Sequence, residues 1–143
     1  MPAQVFYILG ALPLMLLGAV HLVFTLHDNR KPRYIVPKSE SLIRSMQVEP
    51  LRLTSETDMW RAWIGFNISH SIAVLLVGLG FLYLAVRYFE FMSQDIILLW
   101  TAPTLAWVSV ILSKCFWFSR PFRGSFISAV LFTIGALLNV SAG

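Results

Sequence analysis

Residues 62–86, AWIGFNISHSIAVLLVGLGFLYLAV, decide the fold because they contain no Asp, Glu, Lys or Arg. A helix rises about 1.5 Å per residue, so roughly 20 apolar residues cross the ~30 Å hydrocarbon core of a bilayer. Three further stretches are equally free of charge, at residues 1–27, 96–113 and 124–143. The sequence therefore predicts four membrane-spanning helices.

The overall composition excludes several classes of protein as first interpretations. Only 13% of the 143 residues are charged, whereas 57% are hydrophobic. A soluble domain carries about 25% charged residues. The single cysteine, Cys115, cannot form a disulfide within the chain. A soluble enzyme, a nucleic-acid binder and a secreted disulfide scaffold are all poor fits.

We predict an all-α fold, a four-transmembrane-helix bundle in one domain over residues 1–143. The segment between the first two spans predicts a short interfacial helix capped by Ser39. Before the second span, Ser55 and Asp58 have the spacing of a capping box. We expect residues 28–38 to be extended and residues 90–95 to form a short turn. The predicted spans cover about residues 3–27, 59–86, 96–113 and 125–140.

The basic residues predict an orientation. Ten Lys and Arg flank one side of the spans and only Arg87 flanks the other, and an excess of these residues marks cytoplasmic loops. Loops 28–58 and 114–124 are therefore expected to be cytoplasmic and both termini outside, in a bacterial inner membrane. Four of these side chains are predicted to meet lipid headgroups: Arg61, Lys114, Arg120 and Arg123.

A few polar side chains lie within the predicted spans, where they are costly and often functional. His21 lies in the first span, and Asn67 and His70 lie in the second. Trp63, Asn67 and His70 recur at helical spacing and form one stripe. The predicted ligand-binding residues are His21, Trp63, Asn67, Ser69, His70 and Ser109.

Three interpretations of this cluster stay open. In the first, the His, Asn and Ser side chains hydrogen-bond across helices and hold the bundle in register. Alternatively, His21, Asn67 and His70 form a site for a lipid-like small molecule, where an imidazole oriented by Asn67 acts as a base or hydrogen-bond donor. Thirdly, His21 and His70 ligate haem. No catalytic residue is assigned, and no other cofactor or chromophore is specified.

The stretch from Met59 to Ser71, MWRAWIGFNISHS, resembles a signature of uncharacterised bacterial four-helix integral membrane proteins. These proteins have a Trp-x-Gly-Phe-Asn-x-Ser-His stretch on the second helix and a Gly-x-x-His on the first, here Gly18 and His21. The resemblance implies the four-helix topology and points to His21, Asn67, Ser69 and His70. It implies no biochemical activity.

The expected function is association: a small non-catalytic membrane protein acting as a homo-oligomer or as an accessory subunit of a larger membrane complex. The exposed loops are too short for a soluble catalytic domain, and small residues on three spans suit helix contacts. The expected partners are membrane lipids and other membrane proteins or further copies, not nucleic acid. The small-residue stripes comprise Gly10, Gly18, Ala102, Ala106, Ser109, Ser113, Ser125, Ser128 and Gly135.

Overall fold

The computed structural model of the chain describes residues 2–142 and contains six helices and a two-stranded antiparallel sheet in that range. Four of the helices are long and apolar enough to cross a membrane. The predicted all-α, four-span fold is confirmed. In chain order the elements are α1 (Pro2–Arg30), α2 (Glu40–Val48), β1 (Pro50–Leu51), β2 (Thr54–Asp58), α3 (Met59–Arg87), α4 (Phe89–Gln94), α5 (Ile96–Phe116) and α6 (Ser119–Ala142).

Three of the four long helices extend well beyond the predicted ends. α1 continues to Arg30 rather than stopping near residue 27, and it ends just before Pro32, which disfavours helical backbone in the preceding residue. α5 continues to Phe116 and closes with a bond from the Trp117 N–H to the Ser113 carbonyl oxygen. α6 begins at Ser119 rather than near residue 125. Pro121 lies in its first turn, where a proline is compatible with a helix.

The segment between α1 and α3 differs in part from the prediction. The Ser39 hydroxyl accepts the Leu42 N–H at 3.3 Å, so the predicted cap of α2 is confirmed. The predicted capping box is wrong, because Ser55 lies within β2. Asp58 itself caps α3 by accepting the Arg61 N–H at 2.7 Å. The turn predicted over residues 90–95 is also wrong, since most of it belongs to the short helix α4.

The chain divides into two compact units, each of which is described separately. The first unit comprises residues 2–17 and 74–142, and the second comprises residues 18–73. In the first unit, the buried Tyr7 hydroxyl donates to the Leu99 carbonyl oxygen at 2.5 Å. The Tyr7 and Phe132 rings lie 5.4 Å apart, and Phe81 lies 5.9 Å from Phe132. Aromatic side chains therefore form the centre of this unit.

Many of the small residues predicted to carry contacts between chains are instead used inside the first unit. Ala102 and Ala106 are 1% and 0% exposed. Gly10 lies directly against the Phe132 ring, where an added Cβ would come within 2.8 Å of a ring carbon. Gly135 lies against Tyr7 in the same way. These small residues let helices of one chain approach closely, and association between chains stays a prediction.

Candidate functional site

The centre of the candidate site is a hydrogen bond between His21 on α1 and Asn67 on α3, both in the second unit. His21 Nε2 lies 3.0 Å from Asn67 Oδ1, and Asn67 is 1% exposed. The Asn67 Nδ2 group donates to the Trp63 carbonyl oxygen at 2.8 Å, which fixes the orientation of the amide. Because an amide oxygen can only accept, His21 Nε2 carries the proton.

Buried hydroxyls support both helices next to this bond. Thr25 is 1% exposed and donates to the His21 carbonyl oxygen at 2.9 Å. Ser71 is fully buried and donates to the Asn67 carbonyl oxygen at 2.6 Å. These bonds satisfy the hydroxyls within their own helices, and they place small polar groups on the facing sides of α1 and α3.

His70 brings a second imidazole to the site. Its ring centroid lies 5.7 Å from that of His21, in an edge-to-face arrangement. On α3 itself, the Phe66 ring lies 6.1 Å from His70 and is nearly parallel to it, at 12°. His70 and Phe66 are both exposed, although His70 lies about 16 Å along α3 from its start at Met59. An imidazole is thus presented at the surface of an apolar span.

The loop that follows α1 turns around the side chain of Asp28. The Asp28 carboxylate is 1% exposed and accepts three consecutive backbone N–H groups. Oδ1 accepts from Arg33 and Tyr34 at 2.9 Å each, and Oδ2 accepts from Ile35 at 2.6 Å. The expectation of extended chain over residues 28–38 is therefore wrong at its start, because residues 28–30 are helical and the N–H groups of residues 33–35 fold back to bond the Asp28 carboxylate.

The turn is joined to α3 through Trp63. The indole Nε1 of Trp63 donates to the Ile35 carbonyl oxygen at 3.0 Å, and the Trp63 side chain is half-buried. Trp63 precedes Asn67 by one helical turn, so the indole contact lies next to the His21–Asn67 bond along α3. Within the predicted stripe, Trp63 therefore contacts the loop at Ile35, whereas Asn67 and His70 both contact His21.

The remaining predicted site residues lie around or away from this cluster. Ser69 is exposed and donates to the Phe66 carbonyl oxygen at 2.9 Å. Ser109 belongs to the first unit and donates to the Leu105 carbonyl oxygen at 2.9 Å. The role of Ser109 in ligand binding stays a prediction. The four predicted headgroup contacts are all exposed: Arg61, Lys114, Arg120 and Arg123.

The side chains are poorly arranged for haem. An axial histidine ligates iron through a ring nitrogen, usually Nε2, and His21 Nε2 here donates to Asn67. Haem ligation through that nitrogen would require breaking this bond and separating two rings that are in contact. Among residues 2–142, no group of three or more His, Cys, Asp or Glu side chains is arranged to hold a metal ion.

Sequence reasoning missed Asp28 and Thr25. The sequence predicts that Asp28 follows the first span in extended chain, so its place in the last turn of α1, where the helix dipole disfavours an anion, is found only in the structure. Thr25 is not among the predicted site residues. The backbone N–H groups that Asp28 binds carry no side-chain signature, so no sequence signal pointed to these contacts.

No family model, no curated protein and no solved structure matches this chain in the comparisons. The resemblance of residues 59–71 to the bacterial four-helix membrane proteins stays a prediction. The features of this chain that point to a function are the geometry of the His21–Asn67–His70 cluster and that of the Asp28 turn.

Proposed function

We propose that this chain is a multi-pass membrane protein that binds a lipid-like small molecule at the His21–Asn67–His70 cluster. The observation that carries the proposal is the exposed imidazole of His70, which lies well inside an apolar span and touches the oriented imidazole of His21. Polar side chains at hydrocarbon depth mark ligand or substrate sites because lipid acyl chains offer them no hydrogen bonds.

The side chains suggest the chemistry of the ligand. Asn67 holds one imidazole in a single tautomer, and an exposed imidazole such as that of His70 is a group that hydrogen-bonds hydroxyl and carbonyl ligands. The exposed Phe66 ring runs nearly parallel to His70 and extends a flat apolar surface beside it. A ligand with an uncharged polar head and a hydrocarbon tail matches this surface. An enzymatic role would add proton transfer by an imidazole, at the same residues.

Replacement of His70 by Phe tests the proposal. The variant keeps the size and flatness of the ring but removes its nitrogens. Purified in nanodiscs from the native membrane, the wild type is expected to retain one lipid-like species in fixed ratio, measured by mass spectrometry of organic extracts. His70→Phe is expected to retain about tenfold less, which corresponds to about 1.4 kcal/mol for a lost hydrogen bond.

Thr104→Val is the matched control, because Thr104 is an exposed polar side chain on another span and donates only to the Trp100 carbonyl oxygen of its own helix. It should retain the ligand like the wild type. Equal retention by His70→Phe and the wild type would contradict the proposal. A Soret band in the visible spectrum of the same sample would instead favour haem.

Association is the second candidate function. The observation in its favour is the same exposed face of His70 and Ser69, which a polar side chain of a second copy or of another membrane protein would cover. Most of the small residues first expected to carry association are buried within the chain. A homo-oligomer or a co-purifying subunit in fixed ratio, without a small molecule, would favour this candidate.

We also propose a bacterial inner membrane location with the loops over residues 28–58 and 114–124 in the cytoplasm. Basic side chains concentrated in these loops support the orientation. Arg61, Lys114, Arg120 and Arg123 are exposed and suit contacts with lipid phosphates at that face.

The native cysteine gives a direct test of orientation. Cys115 is exposed near the end of α5, within the proposed cytoplasmic segment over residues 114–124. A membrane-impermeant maleimide is expected to label it only after the cells are permeabilised. In a Cys115→Ser background, Gln94→Cys at the end of α4 should be labelled in intact cells, since it belongs to the opposite side. The reverse labelling pattern would invert the topology.

A further inference from the structure

Asp28 occupies a position that is unfavourable for a carboxylate unless something compensates it. It lies in the last turn of α1, where the partial negative charge of the helix end repels an anion. It is also 1% exposed, and burying a carboxylate costs several kcal/mol without strong hydrogen bonds. The three N–H groups of residues 33–35 supply those bonds and make a compact anion nest.

This nest is connected to the candidate site by a continuous series of contacts. Ile35 donates its N–H to Asp28 and accepts the Trp63 indole N–H with its carbonyl oxygen. The Trp63 carbonyl oxygen accepts from Asn67, and Asn67 accepts from His21. The series starts on α1, crosses to α3 through the loop, and returns to α1 through the imidazole.

Two cross-links therefore join α1 and α3 within the second unit. One runs from Asp28 through Ile35 to Trp63, and the other is the His21–Asn67 bond. They are about 10 Å apart along α1 and about 6 Å apart along α3, from the spacing of the residues. Loss of the first cross-link allows the ends of α1 and α3 to separate. The His21–Asn67 hydrogen bond, 3.0 Å long in the structure, is lost once its two atoms are more than about 3.5 Å apart.

From these contacts we infer that Asp28 is a positioning residue of the intramembrane site: through Ile35 and Trp63 it sets the spacing of α1 and α3 that keeps His21 in its Nε2-protonated tautomer on Asn67. The consequence for ligand affinity rests on the proposed function. The coupling itself is a property of the free protein, and it is measured without any ligand.

The test is nitrogen-15 NMR of the full chain in nanodiscs, with labelled His and Trp and no added ligand. In the wild type, His21 is expected to show one tautomer and Trp63 a hydrogen-bonded indole. In Asp28→Ala, we expect the Trp63 indole resonance to move to its unbonded position and His21 to become a mixture of both tautomers. The indole of Trp107, which donates to Thr133 in the first unit at 3.1 Å, reports that the first unit remains folded.

Asp95→Ala is the matched control. Asp95 likewise accepts backbone N–H groups, from Ile97 and Leu98 at the start of α5, but it belongs to the first unit. It should leave the His21 and Trp63 resonances unchanged. If Asp28→Ala loses the native Trp107 signal, Trp63→Phe decides the question, because it breaks the same series of contacts and keeps an aromatic ring.

A His21 tautomer mixture in Asp28→Ala or Trp63→Phe, but not in Asp95→Ala, supports the inference. A wild-type His21 spectrum in the folded Asp28 and Trp63 variants overturns it, and so does an equal change in Asp95→Ala. Absence of a bound molecule in the purification experiment would remove the proposed function and leave this coupling intact. A bound molecule with an unperturbed His21 would do the opposite.

Discussion

Replacement of Gly78 by Val is expected to abolish stable folding of the first unit or to destabilise it by about 3 kcal/mol. Gly78 is buried where α3 meets α1, and an added Cβ would lie 2.7 Å from the Met15 Cγ atom and 3.0 Å from the Met15 backbone nitrogen. The Met15 side chain can turn away, but the backbone nitrogen moves only if the helix moves. Unfolding in mixed micelles of increasing SDS content measures the loss.

Gly80→Val provides the matched comparison on the same helix. A Cβ on Gly80 meets nothing within 4 Å, and Gly80 is exposed. Both substitutions change helix propensity in the same way, so the difference between them isolates the cost of the close contact. If the two variants unfold at the same SDS content, α3 does not pack closely against α1 at Gly78.

Truncation of Phe132 to Ala is expected to destabilise the chain by about 2 kcal/mol. Phe132 is fully buried between the Tyr7 and Phe81 rings and lies against Gly10. In an aqueous core this change costs about 3–5 kcal/mol, but a chain unfolded in a membrane already surrounds the ring with lipid. The remaining loss is that of close packing and of the cavity left behind. The same SDS titration measures it.

Phe126→Ala is the control for Phe132→Ala, since Phe126 lies on the same helix and is 43% exposed. It should shift the unfolding transition by less than a third as much. An equal shift for both variants would mean that Phe132 faces lipid and that the aromatic centre of the first unit is misplaced. Such a result would also restore the small residues of α6 as candidates for contacts between chains.

These two experiments bear on function because they test where the small residues are used. If Gly10, Gly78 and Ala106 pack inside one chain, as their burial indicates, association must use another surface. The exposed surface that includes His70 then becomes the first place to examine, either for a ligand or for a partner helix.

Much of the fold was predictable because bilayer thickness restricts what a charge-free stretch can do. A run such as residues 62–86 has only one way to satisfy its backbone groups in hydrocarbon, which is to form a helix. The helix ends were less predictable. Pro121 lies in the first turn of α6, and from the sequence alone a proline at this position indicates a loop as much as a helix start.

The site was predictable in part for a different reason. Helical periodicity alone puts Trp63, Asn67 and His70 on one side of α3, because they recur every three or four residues. Periodicity does not say which residue of α1 meets that side. The structure pairs His21 with Asn67 at 3.0 Å and adds the Asp28 turn, whose bonds go to backbone groups that every residue has.

The sequence by itself determined the number of spans and the polar residues within them, because the cost of charge in lipid depends on composition and not on partners. Only the tertiary structure decided what those residues touch. Helix pairing in a membrane depends on close packing and on directed hydrogen bonds, both of which require the relative rotation of the helices. That rotation buries the small residues of α5 and α6 within the first unit. It brings His21 onto Asn67 and leaves His70 exposed within an apolar span.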